Sequence, residues 1–300
     1  SMNLIFDISH SFFKSYAVFK SRYENVDLST EDSQQQLIRK FLSDFCFSIN
    51  IYERLGIENV VCCMDSQLNF RKELCDKYKA NREKQEEGFY IARNQVKEIL
   101  KAKGFLVSEI EKCEADDLCS AWSKHFSKLG QQSIILSSDK DIRQLADENV
   151  VVYSNNSKMA EIYYTQPMDF FWNFKSSVML TYHEVSPDYI TFEKTILGDK
   201  GDNVFRVAKR GVGHLKMMQL ANICKEKNIF NNYKEVYDVC EQSGIFEGIT
   251  FERFILNKNL VDLKNPGYPE NIATAIKNHV EELKDSYKFE GAFSMQCLYK

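Results

Sequence analysis

Three carboxylates lie within four residues at Glu114-Ala115-Asp116-Asp117, just before apolar residues with helical spacing. On a helix that begins here, Glu114 and Asp117 would share one face, with Asp116 beside them. Like charges this close cost free energy unless a cation lies among them. Acids in the first turn are also favoured by the helix dipole alone. On this stretch alone, a cation site and ordinary helix capping are both open interpretations.

Three more acids lie at or near the ends of short apolar runs that are typical of buried strands. The runs cover residues 3–9, 59–65 and 133–141, and the acids are Asp7, Asp65 and Asp139. The carboxyl ends of parallel strands meet at the edge where α/β proteins bind ligands. A strand-end turn explains any one of these acids but is a poor explanation for all three. We therefore expect them to meet beside the helix that Glu114 begins.

As a group, the acids have the ligand chemistry of a hard divalent cation. Gly198-Asp199-Lys200-Gly201-Asp202-Asn203 adds two more carboxylates. An all-oxygen ligand set selects Mg²⁺ or Mn²⁺ rather than zinc, and so many acids favour two ions, about 3.5–4 Å apart on a phosphodiester. A structural Ca²⁺ site is the alternative, but it explains poorly why the acids come from many elements. The candidate ligands are Asp7, Asp65, Glu114, Asp116, Asp117, Asp139, Asp141, Asp199 and Asp202.

Two basic segments indicate where a polyanionic substrate would lie. Between residues 71 and 103, ten Lys and Arg outnumber six Asp and Glu, with Tyr78, Phe89 and Tyr90 among them as stacking faces. A solvated helix face is the alternative for this run. The second segment, 206–220, has no acid and surrounds a glycine turn whose N–H groups could bind phosphate. The candidate nucleic-acid contacts are Arg71, Lys72, Tyr78, Lys84, Arg93, Lys97, Lys209, Arg210, Gly211, Gly213 and Lys216.

The elements that must position these residues follow an alternating pattern. The apolar runs at 3–9, 59–65 and 133–141, and another at 150–153, alternate with helical patterns at 34–55 and from Glu114 to about Leu129. Such alternation predicts an α/β fold with a mostly parallel sheet covered by helices. After about residue 165 glycines cluster and no strong strand pattern returns. We therefore expect a domain boundary near Tyr182 and a mostly helical second region.

Bulk composition narrows the class of protein. The 300 residues are 44% hydrophobic and 27% charged, which is typical of a soluble globular protein. The net charge of −4 gives no overall nucleic-acid signature. Nine cysteines without C-x-x-C spacing predict neither a zinc site nor a disulfide framework, and favour a reducing compartment. No signal peptide or long apolar run occurs, so we expect a cytoplasmic protein that does not enter a membrane.

A series of short blocks resembles the structure-specific 5′-nuclease (flap endonuclease) family. The resemblance is closest to its stand-alone form, the ribonuclease H branch of the T-even phages. The blocks occur in family order and span most of the chain, and a further block, E-N-I-A-T-A-I (270–276), resembles the tail of the phage form. They are F-D-I-S-H (6–10), M-D-S-Q-L-N-F-R-K (64–72), Y-K-A-N-R (78–82), C-E-A-D-D (113–117), S-S-D-K-D (137–141) and G-D-K-G-D-N-V (198–204).

The resemblance implies a two-part architecture. A PIN-like α/β nuclease domain would cover 2–182, with a basic arch at about 83–103 through which a single strand passes. A helical DNA-binding region would cover 183–300, with a helix-hairpin (helix–three-turn–helix-like) motif at 206–220 and a K⁺ ion at 206–216. Residues 207–210, Val-Ala-Lys-Arg, depart from the Pro-containing approach to this hairpin that is usual in the family.

The resemblance also implies roles for the acids and for two basic residues. Asp7, Asp65, Glu114 and Asp116 would mainly hold one metal ion, and Asp139, Asp141 and Asp202 a second. Asp117 and Asp199 would ligate or support through water. Lys79 and Arg82 would be catalytic, because they would stabilise charge that develops on the scissile phosphate.

The implied function is that of a hydrolase: a 5′→3′ exonuclease and flap endonuclease that uses two Mg²⁺, with Mn²⁺ able to substitute. It would remove RNA primers and 5′ flaps in DNA replication and leave 5′-phosphates. Its substrates would be DNA and RNA–DNA duplexes with 5′ ends or flaps. A single-stranded-DNA-binding protein or a sliding clamp are candidate partners, and we expect a monomer in the cytoplasm, of the bacterial host if the chain is phage-encoded.

Two other functions remain as alternatives. A PIN-type metal-dependent ribonuclease has a similar sheet and acid cluster, but such domains usually stop before anything like residues 184–300. A non-catalytic DNA-junction binder has no reason to keep carboxylates that repel phosphate. Products from single-stranded RNA alone would favour the first, and binding without products would favour the second.

Overall fold

The computed structural model describes residues 2–24, 26–52, 55–155, 158–173 and 179–286. Within these ranges seven strands form one sheet. The strands are β1 (Met2–Asp7), β2 (Ile57–Cys63), β3 (Leu106–Ser108), β4 (Gln132–Leu136), β5 (Val150–Asn155), β6 (Met159–Tyr164) and β7 (Met179–Glu184). Their order across the sheet is β3-β2-β1-β4-β5-β6-β7. Neighbours in β1 to β5 pair in parallel, β6 runs antiparallel to β5, and β7 is parallel to β6.

The central strand β1 is buried on both faces of the sheet. Because side chains alternate along a strand, Leu4 and Phe6 pack into one core and Ile5 into the other. The first core is covered by α1 (Ile8–Arg22), α2 (Glu31–Tyr52) and, after the short α3 (Phe70–Leu74), by α4 (Glu87–Ala102). The second core is covered by α5 (Ala115–Lys128), whose Leu118 and Trp122 are fully buried.

A helical region follows the sheet and has its own core. It consists of α6 (Pro187–Leu197), α7 (His214–Glu226), α8 (Tyr233–Gln242) and α9 (Phe251–Val261). Phe192, Met217 and Phe254 are fully buried at its centre. No helix in the described ranges combines the length and the apolar character needed to span a bilayer.

The last described helix, α10 (Glu270–Leu283), returns to the sheet domain. Val280 joins the core beneath α5, and Ile272 and Ile276 pack with Phe70. The Ser120 hydroxyl donates to the carbonyl oxygen of Leu263 at 2.7 Å. The boundary near Tyr182 stays a prediction; residues on both sides of it contribute to the sheet domain, and β7 continues to Glu184.

The predicted fold class, a mostly parallel sheet flanked by helices with a helical C-terminal region, is confirmed. The four strands predicted from apolar runs are present, whereas β3, β6 and β7 were not predicted. After residue 165, where the sequence shows no strong strand pattern, β7 nevertheless pairs with β6. Since β7 is one of the more exposed strands, it lacks the apolar run that marks a buried one.

The predicted role of 83–103 as an arch for a single strand stays a prediction. Most of it is α4, which buries Phe89, Ala92, Val96 and Leu100 against the core. The apolar face of α4 therefore belongs to the domain core, and its basic residues lie on the remaining surface of a packed helix.

Candidate active site

The acids that were predicted to meet do line one cavity at the carboxyl edge of the sheet. The cavity has a volume of about 570 Å³. Its acidic lining consists of Asp7, Asp65, Glu83, Glu114, Asp116 and Asp139, and Lys79 and Arg82 also line it. A second cavity of about 630 Å³, beside Trp122 and His125, contains no comparable acid group. The carboxyl edge is therefore where the chemistry must be sought.

Asp7 and Asp65 are placed by the strand-to-helix turns that follow β1 and β2. Asp7 caps α1 by accepting from the His10 amide at 3.2 Å, and it accepts the Ser137 hydroxyl at 3.0 Å. Asp65 accepts the Ala115 amide at the start of α5, at 2.6 Å. Burial, helped by the charge of Asp65, raises the pKa of Asp7 to about 8. Burial and Glu114 likewise raise the pKa of Asp65.

Glu114 is the N-cap of α5 and is heavily paired with basic and hydroxyl groups. It accepts from Arg71 at 2.8 Å, from the Tyr78 hydroxyl at 3.0 Å and from the Lys79 ammonium. Burial alone would raise its pKa, but Lys79 and Arg71 overcome this and lower the pKa to about 2. Glu114 is therefore ionised and held in place by cations from the segment that precedes α4.

Asp117 is bound on both oxygens by protein groups. Arg71 donates to one oxygen at 2.8 Å and to the other at 2.6 Å, and the Tyr268 hydroxyl adds a bond of 2.9 Å. Asp117 also accepts the Glu114 amide at 2.9 Å and so completes a capping box. With these four bonds, Asp117 fixes the start of α5, and supporting the site is its natural role.

Asp116, unlike Asp117, does not have both carboxylate oxygens bound by protein groups. Its Oδ1 is buried and has no hydrogen-bond partner among the described residues. Burial, with Glu114 and Asp117 nearby, raises the pKa of Asp116 well above its usual value. A buried carboxylate oxygen without a partner is costly unless a proton or a cation compensates it. This orphaned oxygen, in an all-carboxylate group, fits a divalent cation.

A second acid group stands beside the first. Carboxylate oxygens of Asp141, Asp199 and Asp202 lie within 4.8 Å of one another. Asp139 caps the 3-10 helix Lys140–Leu145 and accepts the Asp141 amide at 3.0 Å. The ammonium of Lys194 on α6 pairs with Asp141, and with Asp199 at 2.6 Å. Burial raises the pKa of Asp141 to about 6, although Lys194 opposes the shift.

The loop that carries Asp199 and Asp202 is a tight turn that requires glycine at its start. Gly198 has a φ of 74°, and a Cβ there would lie 2.4 Å from the carbonyl oxygen of Val204. Asp199 and Val204 exchange backbone hydrogen bonds of 2.9 and 2.8 Å. The turn therefore holds its two carboxylates close together.

Residues 77–82 connect the two acid groups. The Lys79 amide donates to the Asp202 carbonyl at 2.7 Å while its side chain reaches Glu114. Arg82 donates to the Asp202 carboxylate at 2.5 Å, and Asn203 donates to the Lys77 carbonyl at 2.7 Å. Lys79 itself has a left-handed backbone, with a φ of 54°. The predicted catalytic residues thus lie at the junction of the sheet domain and the helical region.

Two of the predicted nucleic-acid contacts are wrong. Arg71 is 1% exposed and Tyr78 is 4% exposed. Their polar atoms bind Glu114, and Arg71 also donates to the Leu260 carbonyl at 3.0 Å. A nucleic acid cannot reach either side chain, so both belong to the support of the acid site. Phe89 is likewise buried in the core, and Tyr90 remains exposed.

The other predicted contacts lie at the surface or beside the cavity and stay predictions. Arg93 lines the cavity and donates to the Asp65 carbonyl, and Lys97 pairs with Glu109 at 3.0 Å. Gly211 has a φ of 91°, and Gly213 is the N-cap of α7. Lys72, Lys84, Lys209 and Arg210 are exposed, and Lys216 is half-buried.

Three supporting residues were missed by the reasoning from sequence. They are Lys194, Tyr268 and the fully buried Gln144, which accepts from Thr191 at 2.7 Å and donates to the Val261 carbonyl at 3.0 Å. Each bonds to a residue of a distant segment. Lys194 carries the one local signal, since it precedes Asp199 by five residues near the end of a helix.

Comparisons with known proteins agree with this geometry. Residues 2–171 match the family described as 5′-3′ exonuclease, N-terminal resolvase-like domain. The 5′-3′ exonuclease of Mycoplasmopsis pulmonis is 28% identical over 235 residues, which is 77% of this chain and 69% of that protein. The DNA polymerase I of Caldicellulosiruptor bescii is 32% identical over 153 residues, which is 50% of this chain and 17% of the polymerase.

The fold resembles a solved phage enzyme over nearly its whole length. T5 5′-exonuclease with divalent metal ions (zinc) bound superposes with a TM-score of 0.62 at 18% identity, covering 95% of this chain and 100% of that one. This likeness supports the predicted PIN-like sheet and the helical region behind it. Since the family model covers more than half of the sequence, the chain belongs to the 5′-3′ exonuclease family and is a nuclease of the hydrolase class.

Proposed function

We propose that the protein is a metal-dependent 5′→3′ exonuclease and flap endonuclease that uses two Mg²⁺ ions, with Mn²⁺ able to substitute. The observation that carries this proposal is the pair of acid groups at one sheet edge, with buried carboxylates that protein cations do not neutralise. Asp7 and Asp116 are such carboxylates, and burial together with neighbouring carboxylates raises the pKa of each.

The proposed metal ligands are divided between the two acid groups. Asp7, Asp65, Glu114 and Asp116 would hold the first ion, and Asp139, Asp141 and Asp202 the second. Asp117 supports the first group through Arg71, and Asp199 supports the second through Lys194. Bound Mg²⁺ supplies charge stabilisation at the phosphate oxygens and lowers the pKa of water. The T5 5′-exonuclease, which shares the fold, is described with divalent metal ions bound.

Lys79 and Arg82 are the protein's own cations at the reaction centre. In the structure they pair with Glu114 and Asp202. Once these carboxylates share their charge with metal ions, the ammonium and guanidinium groups become available to the scissile phosphate. There they would stabilise the negative charge that develops in the transition state. Both residues line the same cavity as the acids, which supports this role.

The substrate would be a DNA or RNA–DNA duplex with a 5′ end or flap. The exposed basic turn at 209–216 supplies backbone N–H groups and lysine and arginine side chains for the duplex backbone. A flap endonuclease of phage T5 that shares the fold is described in a complex with DNA and metal ions. Lys72, Lys84, Arg93 and Lys97 would lie along the path from the cavity.

Removal of RNA primers and 5′ flaps in replication is the proposed biological role, because relatives include DNA polymerase I. A single-stranded-DNA-binding protein or a sliding clamp are proposed partners of a cytoplasmic monomer. We leave the K⁺ ion predicted at 206–216 out of this function, because the Arg206 side chain already binds three backbone carbonyl oxygens of this turn.

The test is cleavage of a 5′-labelled flap duplex with Mg²⁺ or with EDTA, beside Asp139→Asn and the control Glu148→Gln. We expect short labelled products that require Mg²⁺, and a loss of at least about 100-fold in Asp139→Asn with duplex binding retained. Glu148 is an exposed acid on the same segment, so its variant should cleave normally. Binding without products would favour the junction binder, and cleavage of single-stranded RNA alone would favour the ribonuclease.

A further inference from the structure

The turn before α7 is organised around one arginine side chain. Nε of Arg206 donates to the carbonyl oxygen of Ala208 at 3.1 Å. Nη2 of the same guanidinium donates to the carbonyl oxygen of Lys209 at 2.9 Å and also to that of Val212. Three backbone carbonyls from within five residues therefore converge on a single cationic group.

A ring of backbone carbonyls is the environment in which proteins bind K⁺. Here the same oxygens already have donors, and Nη2 lies between two of them. An ion and the guanidinium cannot both occupy this position, since both are positively charged and need the same lone pairs. The K⁺ ion predicted from the family resemblance therefore does not fit the turn as it is built.

The backbone around the turn is fixed by other bonds. The Lys209 amide donates to the Ile245 carbonyl at 2.7 Å, and the Val207 amide donates to the Ile196 carbonyl at 3.0 Å. Both carbonyls belong to the helical region, outside the turn. The carbonyls of the turn are thus held in place by the helical region, and the guanidinium binds a backbone that other bonds have already positioned.

We propose that Arg206 is the built-in cation of this turn, so that the hairpin holds a duplex backbone without recruiting K⁺. A guanidinium is always charged and offers five donors in a planar arrangement, which suits several oxygens at once. The positive charge that a bound ion would bring to the phosphates beside Gly211 and Gly213 is then supplied by the chain. Only the expected effect on DNA affinity rests on the proposed duplex-binding function. The role of Arg206 as the cation of the turn does not.

The first experiment measures duplex affinity in potassium chloride and in tetramethylammonium chloride at equal ionic strength. Tetramethylammonium screens charge but is too large for a carbonyl ring. We expect the wild-type dissociation constant to agree in the two salts within about twofold. A wild-type affinity at least about tenfold tighter in K⁺ would overturn the proposal, because it would show that the turn still binds the ion.

The second experiment removes the guanidinium. Arg206→Met should bind the duplex about tenfold more weakly in tetramethylammonium, as expected when charge-assisted hydrogen bonds are removed, and K⁺ should restore most of the affinity. A direct phosphate contact by Arg206 would not be restored by K⁺, so equal weakening in both salts contradicts the proposal. Unchanged binding in both salts contradicts it as well.

Arg253→Met is the matched control. Its guanidinium lies 5.8 Å from the ring of Phe205, next to Arg206 in sequence, and does not bond to the turn. Removing it takes away the same charge in the same region, but any decrease in affinity should be equal in the two salts. A K⁺-specific rescue of Arg253→Met would mean that the rescue is not a property of the carbonyl ring.

A measurement without DNA separates this inference from the proposed function. Thermal unfolding of Arg206→Met should occur at a higher temperature in K⁺ than in tetramethylammonium, whereas the wild type should show no difference. The comparison of the two salts detects K⁺ at the carbonyl oxygens of the turn even if the protein binds no duplex. Identical unfolding of Arg206→Met in both salts would overturn the proposal, and absence of duplex binding alone would overturn only the proposed function.

Discussion

At the scale of single residues, Asp7 is a candidate metal ligand whose burial lowers the free energy of unfolding of the metal-free protein. Its folded pKa is about 8, against a usual value of 3.8. Between these two pH values the folded state retains a proton that the unfolded state has released. The free energy of unfolding must therefore decrease as pH rises through this window, because the unfolded state binds fewer protons.

Replacing Asp7 by Asn removes this penalty and should stabilise the metal-free protein. In EDTA at pH 8 we expect Asp7→Asn to raise the free energy of unfolding by up to about 5 kcal/mol, and to have no such advantage below about pH 4. Urea denaturation across this pH range measures the difference. The amide can still accept from His10, and cleavage should be abolished. Equal stability of the two proteins at pH 8 would mean that Asp7 carries no burial penalty.

The residues of the site could be predicted from sequence where they stand at the end or the start of a local pattern of apolar residues. Asp7 and Asp65 follow apolar runs of strand length, and Glu114 precedes a helical one, so position and residue type together indicated the site. Tyr268 and Lys194 were not predictable in this way. Tyr268 reaches Asp117 across 151 residues, and Lys194 reaches Asp141 from a different element. Sequence spacing contains no information on such pairs.

Among the elements, α3 has an importance that its length does not suggest. It has five residues, but its Arg71 joins the start of α5 to the end of α9 through Glu114, Asp117 and the Leu260 carbonyl. Breaking a buried ion pair leaves carboxylates without compensation, which typically costs about 3–5 kcal/mol. The stability of the acid site therefore depends on this one side chain.

The prediction is that Arg71→Met lowers the free energy of unfolding by about 3–5 kcal/mol, whereas Lys72→Met changes it by less than about 0.5 kcal/mol. Lys72 is the exposed neighbour on the same helix and serves as the control. Chemical denaturation of both variants in EDTA provides the comparison. If the two variants were equally stable, Arg71 would not be the link between α5 and α9.

Sequence patterns predicted those helices and strands in which burial of one face produces a regular spacing of apolar residues. The five-residue β4 was found from its apolar run, but the three-residue β3 is too short to show a period. The arch at 83–103 was implied by the family resemblance, which does not say how α4 packs. The spacing of Phe89, Val96 and Leu100 predicts that packing, because burial determines where a helix lies.

At the scale of the whole molecule, the net charge gives no indication of nucleic-acid binding, whereas the distribution of charge over the surface does. The chain carries −4 overall, yet Lys209, Arg210 and Lys216 form a basic surface at the start of α7. The candidate metal ligands are grouped at the sheet edge, where metal ions would offset their charge. A phosphate backbone would therefore be attracted to the turn and tolerated at the site only in the presence of divalent cations.

Replacing Lys209, Arg210 and Lys216 by Met should weaken duplex binding and reduce its dependence on salt. The slope of log affinity against log salt concentration should fall by about 0.9 for each phosphate that the variant no longer neutralises. Filter binding over a range of salt concentrations measures the slope. Lys225→Met and Lys227→Met, which remove exposed charges at the other end of α7, should leave it unchanged. A triple variant with the wild-type slope would exclude these residues from the interface.

The contacts that residues 260–268 make with the sheet domain have a consequence for the order in which the acid site assembles during synthesis. During translation the sheet strands and α5 emerge early, and domains begin to fold from the N-terminus. Arg71, Asp117 and Gln144 must then wait for Leu260, Tyr268 and Val261, which are synthesised more than a hundred residues after them. A nascent chain that has already formed its strands still lacks the supports of its acid site. We therefore expect nuclease activity only after residue 268 has left the ribosome.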